Sequence, residues 1–127
     1  MKYIENHNII IYILCMMCFS ISCRSQNDGR KIIQELRNPS GKIIAVVDEV
    51  EYANGLLTSV ADRVCLLGDK WKKVDGIVVF SSDAMPLAKK PTIAWESNKL
   101  IITISADATD VHYDKQVDEF EIELKTR

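Results

Sequence analysis

This chain of 127 residues has little of three things, and each scarcity closes off a class of function. Charge of one sign is scarce. Sixteen Lys and Arg against eighteen Asp and Glu leave a formal net charge of −2, so there is no electrostatic footprint for nucleic acid. Cysteine is scarce outside the first 23 residues. Cys15, Cys18 and Cys23 crowd that end and Cys65 stands alone, which excludes an intramolecular disulfide framework in the remainder. Its neighbours Val64 and Leu66 give Cys65 the reading of a small buried hydrophobe. The third scarcity is catalytic pattern. Ser81-Ser82-Asp83 lacks the flanking glycines of a nucleophile elbow. The two histidines are His7 and His112, so past the first segment any imidazole acid–base chemistry must use His112.

What is present begins at Ile9. From Ile9 to Ile21 nearly every side chain is apolar and none is charged, while Lys2, Glu5, His7 and Asn8 precede the run and Arg24, Gln26, Asn27 and Asp28 follow it. A spanning helix needs about 20 apolar residues to cross a core of ~30 Å. This run is short of that and has the length of a signal-peptide apolar region. Ser20 and Ser22 stand in the small-x-small arrangement that signal peptidases accept, and Cys23 follows at once.

Ser20-Ile21-Ser22-Cys23 resembles the bacterial lipoprotein signal at the small residue before the cysteine and at the cysteine itself. It departs at Ser20, where that family usually carries Leu. The resemblance implies a diacylglyceryl group on the Cys23 thiol and cleavage that leaves Cys23 as the first residue. Cleavage at the same bond without lipid, or an uncleaved run kept as a short anchor, are the alternatives. Arg24 after the cysteine, where Asp often marks inner-membrane retention, leans toward the outer membrane.

Of the 127 residues, loss of the first 22 leaves 105, one domain with room for a modest core. The expected division is a signal peptide over 1–22, a lipidated cysteine and polar tether over 23–29, and a β domain over 30–127. Arg30–Arg37 is expected as a strand, although Ile32, Ile33 and Leu36 also suit helical turns. Asn38-Pro39-Ser40-Gly41 reads as a type I turn closing a hairpin with a left-handed residue. Lys42–Val47 is β-branched enough to be buried on both faces. Tyr52-Ala53-Asn54-Gly55 breaks that strand, and Thr58–Leu67 and Gly76–Ser81 are the next two. A loop over Ser82–Lys90 leads to a hairpin, Thr92–Trp95 and Lys99–Ile104, turned at Glu96-Ser97-Asn98. Ala106–Asp114 reads as loop. Gln116–Lys125 reads as one final strand with Phe120, Ile122 and Leu124 inward and Glu119, Glu121 and Glu123 in water. About seven short strands without an internal repeat predict an all-β fold, a small antiparallel sandwich or partly open barrel after an N-terminal signal helix.

A second resemblance covers most of Asn38–Ile104. Asn38-Pro39-Ser40-Gly41-Lys42, Ala45-Val46-Val47, Gly55 with Thr58-Ser59, Val64, Pro91-x-Ile93-x-Trp95 and Leu100-Ile101-Ile102 look like a family of small uncharacterised bacterial lipoproteins. Their pattern runs S-P-D-G-K, A-V-V, G-x-T-T, a valine strand and V-x-W. The chain departs at Ser40, where the family has Asp, and in the Gly55–Thr58 interval. The resemblance implies a β-rich envelope domain and brings no activity.

Asp107, Asp110, His112 and Asp114 form the one cluster of metal-competent side chains, at a spacing that lacks the glycine and distal glutamate of an EF-hand. A solvated acidic loop is the competing reading, and no metal or cofactor is expected. Lys70-Trp71-Lys72-Lys73 with Lys89-Lys90 is a candidate contact for anionic headgroups or an acidic partner, weighed against a solvated turn whose Trp covers the sheet edge. The last strand's glutamates suggest either an edge that discourages strand addition or a docking face for a basic partner. The functional expectation is a non-enzymatic, lipid-anchored envelope protein, its membrane contact through acylated Cys23, with a β domain for partner binding or support. The alternative is an immunity- or inhibitor-type protein that neutralises a toxin or enzyme at the membrane.

Overall fold

The computed structural model describes residues 29–71 and 76–127, so the expectations for the signal helix, Cys23 and Lys72-Lys73 lie outside the described residues. The described residues form an all-β domain, with nine strands in two sheets among them. The first sheet contains β1 (Arg30–Arg37), β2 (Ile44–Asn54), β3 (Leu57–Leu67), β4 (Ile77–Asp83) and β7 (His112–Tyr113), in the order β1-β2-β3-β4-β7. The second contains β5 (Thr92–Glu96), β6 (Lys99–Ile104), β8 (Gln116–Val117) and β9 (Phe120–Thr126), in the order β5-β6-β9-β8. One 3₁₀ turn, Leu87–Lys89, lies between β4 and β5. No helix among the described residues is long and apolar enough to cross a membrane.

The two sheets bury a common apolar layer. Alternation along β2 and β3 sends Ala45, Val47, Val64 and Leu66 into it, and β4 adds Phe80. Ile93, Leu100, Ile102 and Ile122 meet them from the second sheet. At one margin Phe120 packs edge-on against Trp95, with centroids 5.8 Å apart, and lies 6.3 Å from Trp71. The indole N–H of Trp95 donates to the Leu36 carbonyl at 3.0 Å and pins the second sheet to β1. Val46, Asp48, Arg63 and Cys65 take the alternate positions on the other face of the first sheet and are buried too, so β2 is covered on both faces as its β-branched sequence suggests.

Turn chemistry sets the connections. The amide of Gly41 donates to the Asn38 carbonyl, and its φ of 77° is the left-handed residue that the Asn-Pro-Ser-Gly turn requires. The β5–β6 turn has Ser97 at φ 55°, and an equivalent two-residue turn divides Gln116–Thr126, with Asp118 at φ 51°. The expected single final strand is therefore two, β8 and β9. A short strand, β7, also lies inside the expected Ala106–Asp114 loop, pairing His112 with Ser81 and Tyr113 with Phe80.

The pairing qualifies two expectations. β9 runs parallel to β6, so the second sheet is mixed, and the two-residue β8 covers β9 only at Phe120 and Glu121, so that among the described residues the edge expected at the last strand persists beyond Glu121. Phe120 and Ile122 are buried with Leu124 packed beside them, whereas Glu119 and Glu121 are exposed and Glu123 is half-buried, close to the expected alternation.

Candidate functional site

Two charge clusters sit inside the domain, one on each face of the first sheet. On the outer face the Asp48 carboxylate, fully buried, receives Arg63 through both oxygens, Nε to Oδ1 and Nη2 to Oδ2, each at 2.9 Å. Arg30 Nε donates to Oδ2 at 2.6 Å. The planar guanidinium fork matches a carboxylate in this way, and a lysine would not. Burial is the largest single influence and opposes the charge on Arg63, but the hydrogen bond to Asp48 together with the charge interactions with Cys65, Asp48 and Tyr52 outweighs it, so the pKa of Arg63 is raised. The Cys65 Sγ lies 3.9 Å from the same carboxylate.

On the inner face, at the end of the apolar layer, Lys90 is buried and its Nζ donates to Asp62 Oδ1 at 2.5 Å and to Glu49 Oε1 at 3.1 Å. The second oxygen of Asp62 accepts from the Met85 amide at 2.9 Å. Asp62 and Glu49 are brought together because they face each other across β2 and β3. Burial disfavours the ammonium, and the bonds to Asp62 and Glu49 prevail, holding Lys90 above the ordinary lysine value. This cluster closes one end of the sandwich and binds the β4–β5 connection to the first sheet.

The sequence-derived candidates do not assemble. Asp107 pairs with Lys89 at 2.5 Å, and Asp110 holds His112 Nε2 at 2.9 Å, both pairs exposed. The bond to Lys89 holds the Asp107 carboxyl below its ordinary value. Asp114 lines an open cleft of about 480 Å³ with Val78–Ser81 and Val111–Tyr113. Among the described residues no three His, Cys, Asp or Glu side chains converge as a metal ligand set. The Lys70–Lys90 basic patch also divides: Lys70 bonds Glu119 at 2.7 Å, Trp71 packs beside Phe120, and Lys90 is internal. Cys65 and His112 stand apart as well. Cys65 pairs with Val78 and His112 with Ser81, so β4 and three residues of its length, about 10 Å, separate them.

One feature escaped the sequence reading. β2 does not stop at Tyr52 but runs on to Asn54, and β3 begins at Leu57, so Gly55-Leu56 is the two-residue tip of a hairpin that extends past the sandwich. From Glu51 to Val60 every side chain whose position is described is exposed, with Leu56 at 105% and Leu57 at 78% of full accessibility. Asn54-Gly55 between two strand patterns was the available signal, since Asn-Gly is the strongest short-range hairpin marker. In comparison with known proteins, no family model, no curated protein and no solved structure matches this chain.

Proposed function

We propose that the chain is a lipid-anchored protein of the bacterial envelope, held by an acylated Cys23, whose β domain binds or supports a partner and carries out no reaction. The observation that carries this reading is the uncharged apolar run Ile9–Ile21 closed by Ser22-Cys23, followed by a polar stretch and then by strand β1 at Arg30. The internal commitment of the charged groups supports binding over catalysis: Asp48 is held by Arg30 and Arg63, and Asp62 by Lys90. The resemblance to small bacterial lipoproteins belongs to the same proposal, as does retention at the outer membrane facing the periplasm.

Metabolic labelling with palmitate tests it. Wild type takes up label and fractionates with membranes. Cys23→Ser loses the label and accumulates unprocessed, while Cys65→Ser labels as wild type does. Two acyl chains suffice for stable anchoring, each buried CH₂ contributing ~0.8 kcal/mol, where a single chain is marginal. Wild type that stays unlabelled, or Cys23→Ser that is fully processed and still membrane-bound, would sink the proposal.

A further inference from the structure

Strand direction fixes which end of the domain faces an anchor attached ahead of β1. β1 runs antiparallel to β2, with Arg30 opposite Val50, and the Glu51 amide donates to the Gly29 carbonyl at 2.8 Å. The chain therefore enters the domain beside Glu51, on the side toward which the β2–β3 hairpin projects. From Glu51 to Gly55 the hairpin advances about 13 Å at ~3.3 Å per residue. Between Cys23 and Gly29 there are six Cα steps, which span at most about 22 Å when fully extended. A tether of that length is long enough for a lipid on Cys23 to reach the level of the tip.

The tip is built of the wrong residues for water. Its two-residue turn places Gly55 at φ 65°, a conformation glycine adopts without strain, and then projects Leu56, followed by Leu57. Below it Tyr52 lies on the same face of the hairpin as Leu57 and Val60 on the opposite face, each about two-fifths exposed. Turn positions are ordinarily polar, and adjacent leucines, one fully and one largely exposed, at the end of a projecting hairpin are a patch in want of a cover.

Resting on the lipid-anchor reading, we infer that the Leu56-Leu57 tip is a second membrane contact, which enters the lipid interface beside the acyl chains and holds the domain upright on the bilayer. The occupant is lipid because the anchor delivers this end of the domain to the bilayer whether or not a protein partner is present. An apolar turn on a rigid two-stranded lever then meets hydrocarbon without rearrangement. Glu51, exposed at the base of the tip, stays at headgroup level, so the contact is made by apolar insertion and not by attraction to anionic lipid.

The test uses full-length protein produced in cells, labelled with palmitate to establish the anchor, and carrying an environment-sensitive fluorophore on Leu56→Cys in a Cys65→Ser background. It is reconstituted into protein-free vesicles of phosphatidylethanolamine and phosphatidylglycerol. The expected result is a blue-shifted emission and a several-fold loss of quenching by aqueous iodide relative to the same protein in detergent-free buffer after protease release from the vesicles. A control probe on Glu121→Cys, across the domain on β9, keeps its full iodide sensitivity. Leu56→Ser/Leu57→Ser is expected to retain the label and the far-ultraviolet spectrum and to make the tether several-fold more sensitive to added protease. A palmitate-labelled protein whose tip probe stays water-exposed overturns the tip contact and leaves the anchor standing. Absence of palmitate label overturns both. A probe exposed in vesicles and shielded only in native envelopes overturns lipid as the occupant in favour of a protein.

Discussion

Replacing Lys90 by alanine is expected to destabilise the domain by about 3–5 kcal/mol, the usual consequence of removing one member of a buried ion pair. Asp62 is fully buried and would keep only the Met85 amide, while Glu49 is half-exposed and can turn to water. Lys90→Met/Asp62→Asn should recover most of the loss, because no bare charge is then left inside and asparagine still offers an acceptor to Met85. Chemical denaturation of the two variants against wild type measures both effects. A Lys90→Ala variant as stable as wild type would mean that the cluster is hydrated, not internal. The pH dependence has a defined sign. The folded-state pKa of Lys90 is raised above the ordinary 10.5. Its contribution is therefore fully present at neutral pH and is lost only as pH climbs past the unfolded value and through the folded one. The stability gap between wild type and Lys90→Met should stay flat to about pH 10 and narrow above it.

Ile102→Asp is expected to prevent folding altogether. Ile102 is fully buried on β6, between Ile93 of β5 and Leu124 of β9. An unpaired carboxylate there costs several kcal/mol on top of the lost apolar packing, and a domain of this size has roughly 5–15 kcal/mol in total. Val46→Asp should do the same on the other face, where it would put a second carboxylate two residues from Asp48. Glu121→Lys is the matched control, exposed on β9 and expected to shift stability by no more than about 0.5 kcal/mol. Far-ultraviolet circular dichroism and denaturant midpoints decide these. A soluble, cooperatively folding Ile102→Asp variant would remove the core described above.

What could be read from the sequence was the part governed by local chemistry. The Asn38–Gly41 turn, the Thr92–Ile104 hairpin and the inward set Phe120, Ile122 and Leu124 all appear where alternation and turn residues put them. β1 shows why periodicity alone was ambiguous there. Its register shifts between Ile32 and Gln34, a bulge that moves Leu36 to the inner face, and the resulting spacing of Ile32, Ile33 and Leu36 imitates a helix. Strand β7 was illegible because two residues have no period, and the break at Asp118 because a left-handed aspartate leaves no mark in an alternating run. Lys89 and Lys90 are chemically identical neighbours, and only the tertiary fold sends one to solvent and the other to Asp62. The basic patch failed for that reason. In the acidic loop Asp107 and Asp110 have separate partners in Lys89 and His112, which matches the reading of a solvated loop over that of a ligand set.

The position of β9 sets an order of events for folding. The last strand of the chain is an interior member of its sheet, and its partner β6 is already made some 16 residues earlier. β6 has β5 on one side only until Phe120–Thr126 arrives on the other, and Ile122 is missing from the core until then. A chain emerging N-terminus first therefore cannot close its second sheet before Phe120–Thr126 is released, and the parallel pairing adds a slow, non-local step. Completion of the second sheet is thus a late event wherever the chain folds: until β9 is in place, Ile93, Leu100 and Ile102 have no Ile122 to close over them.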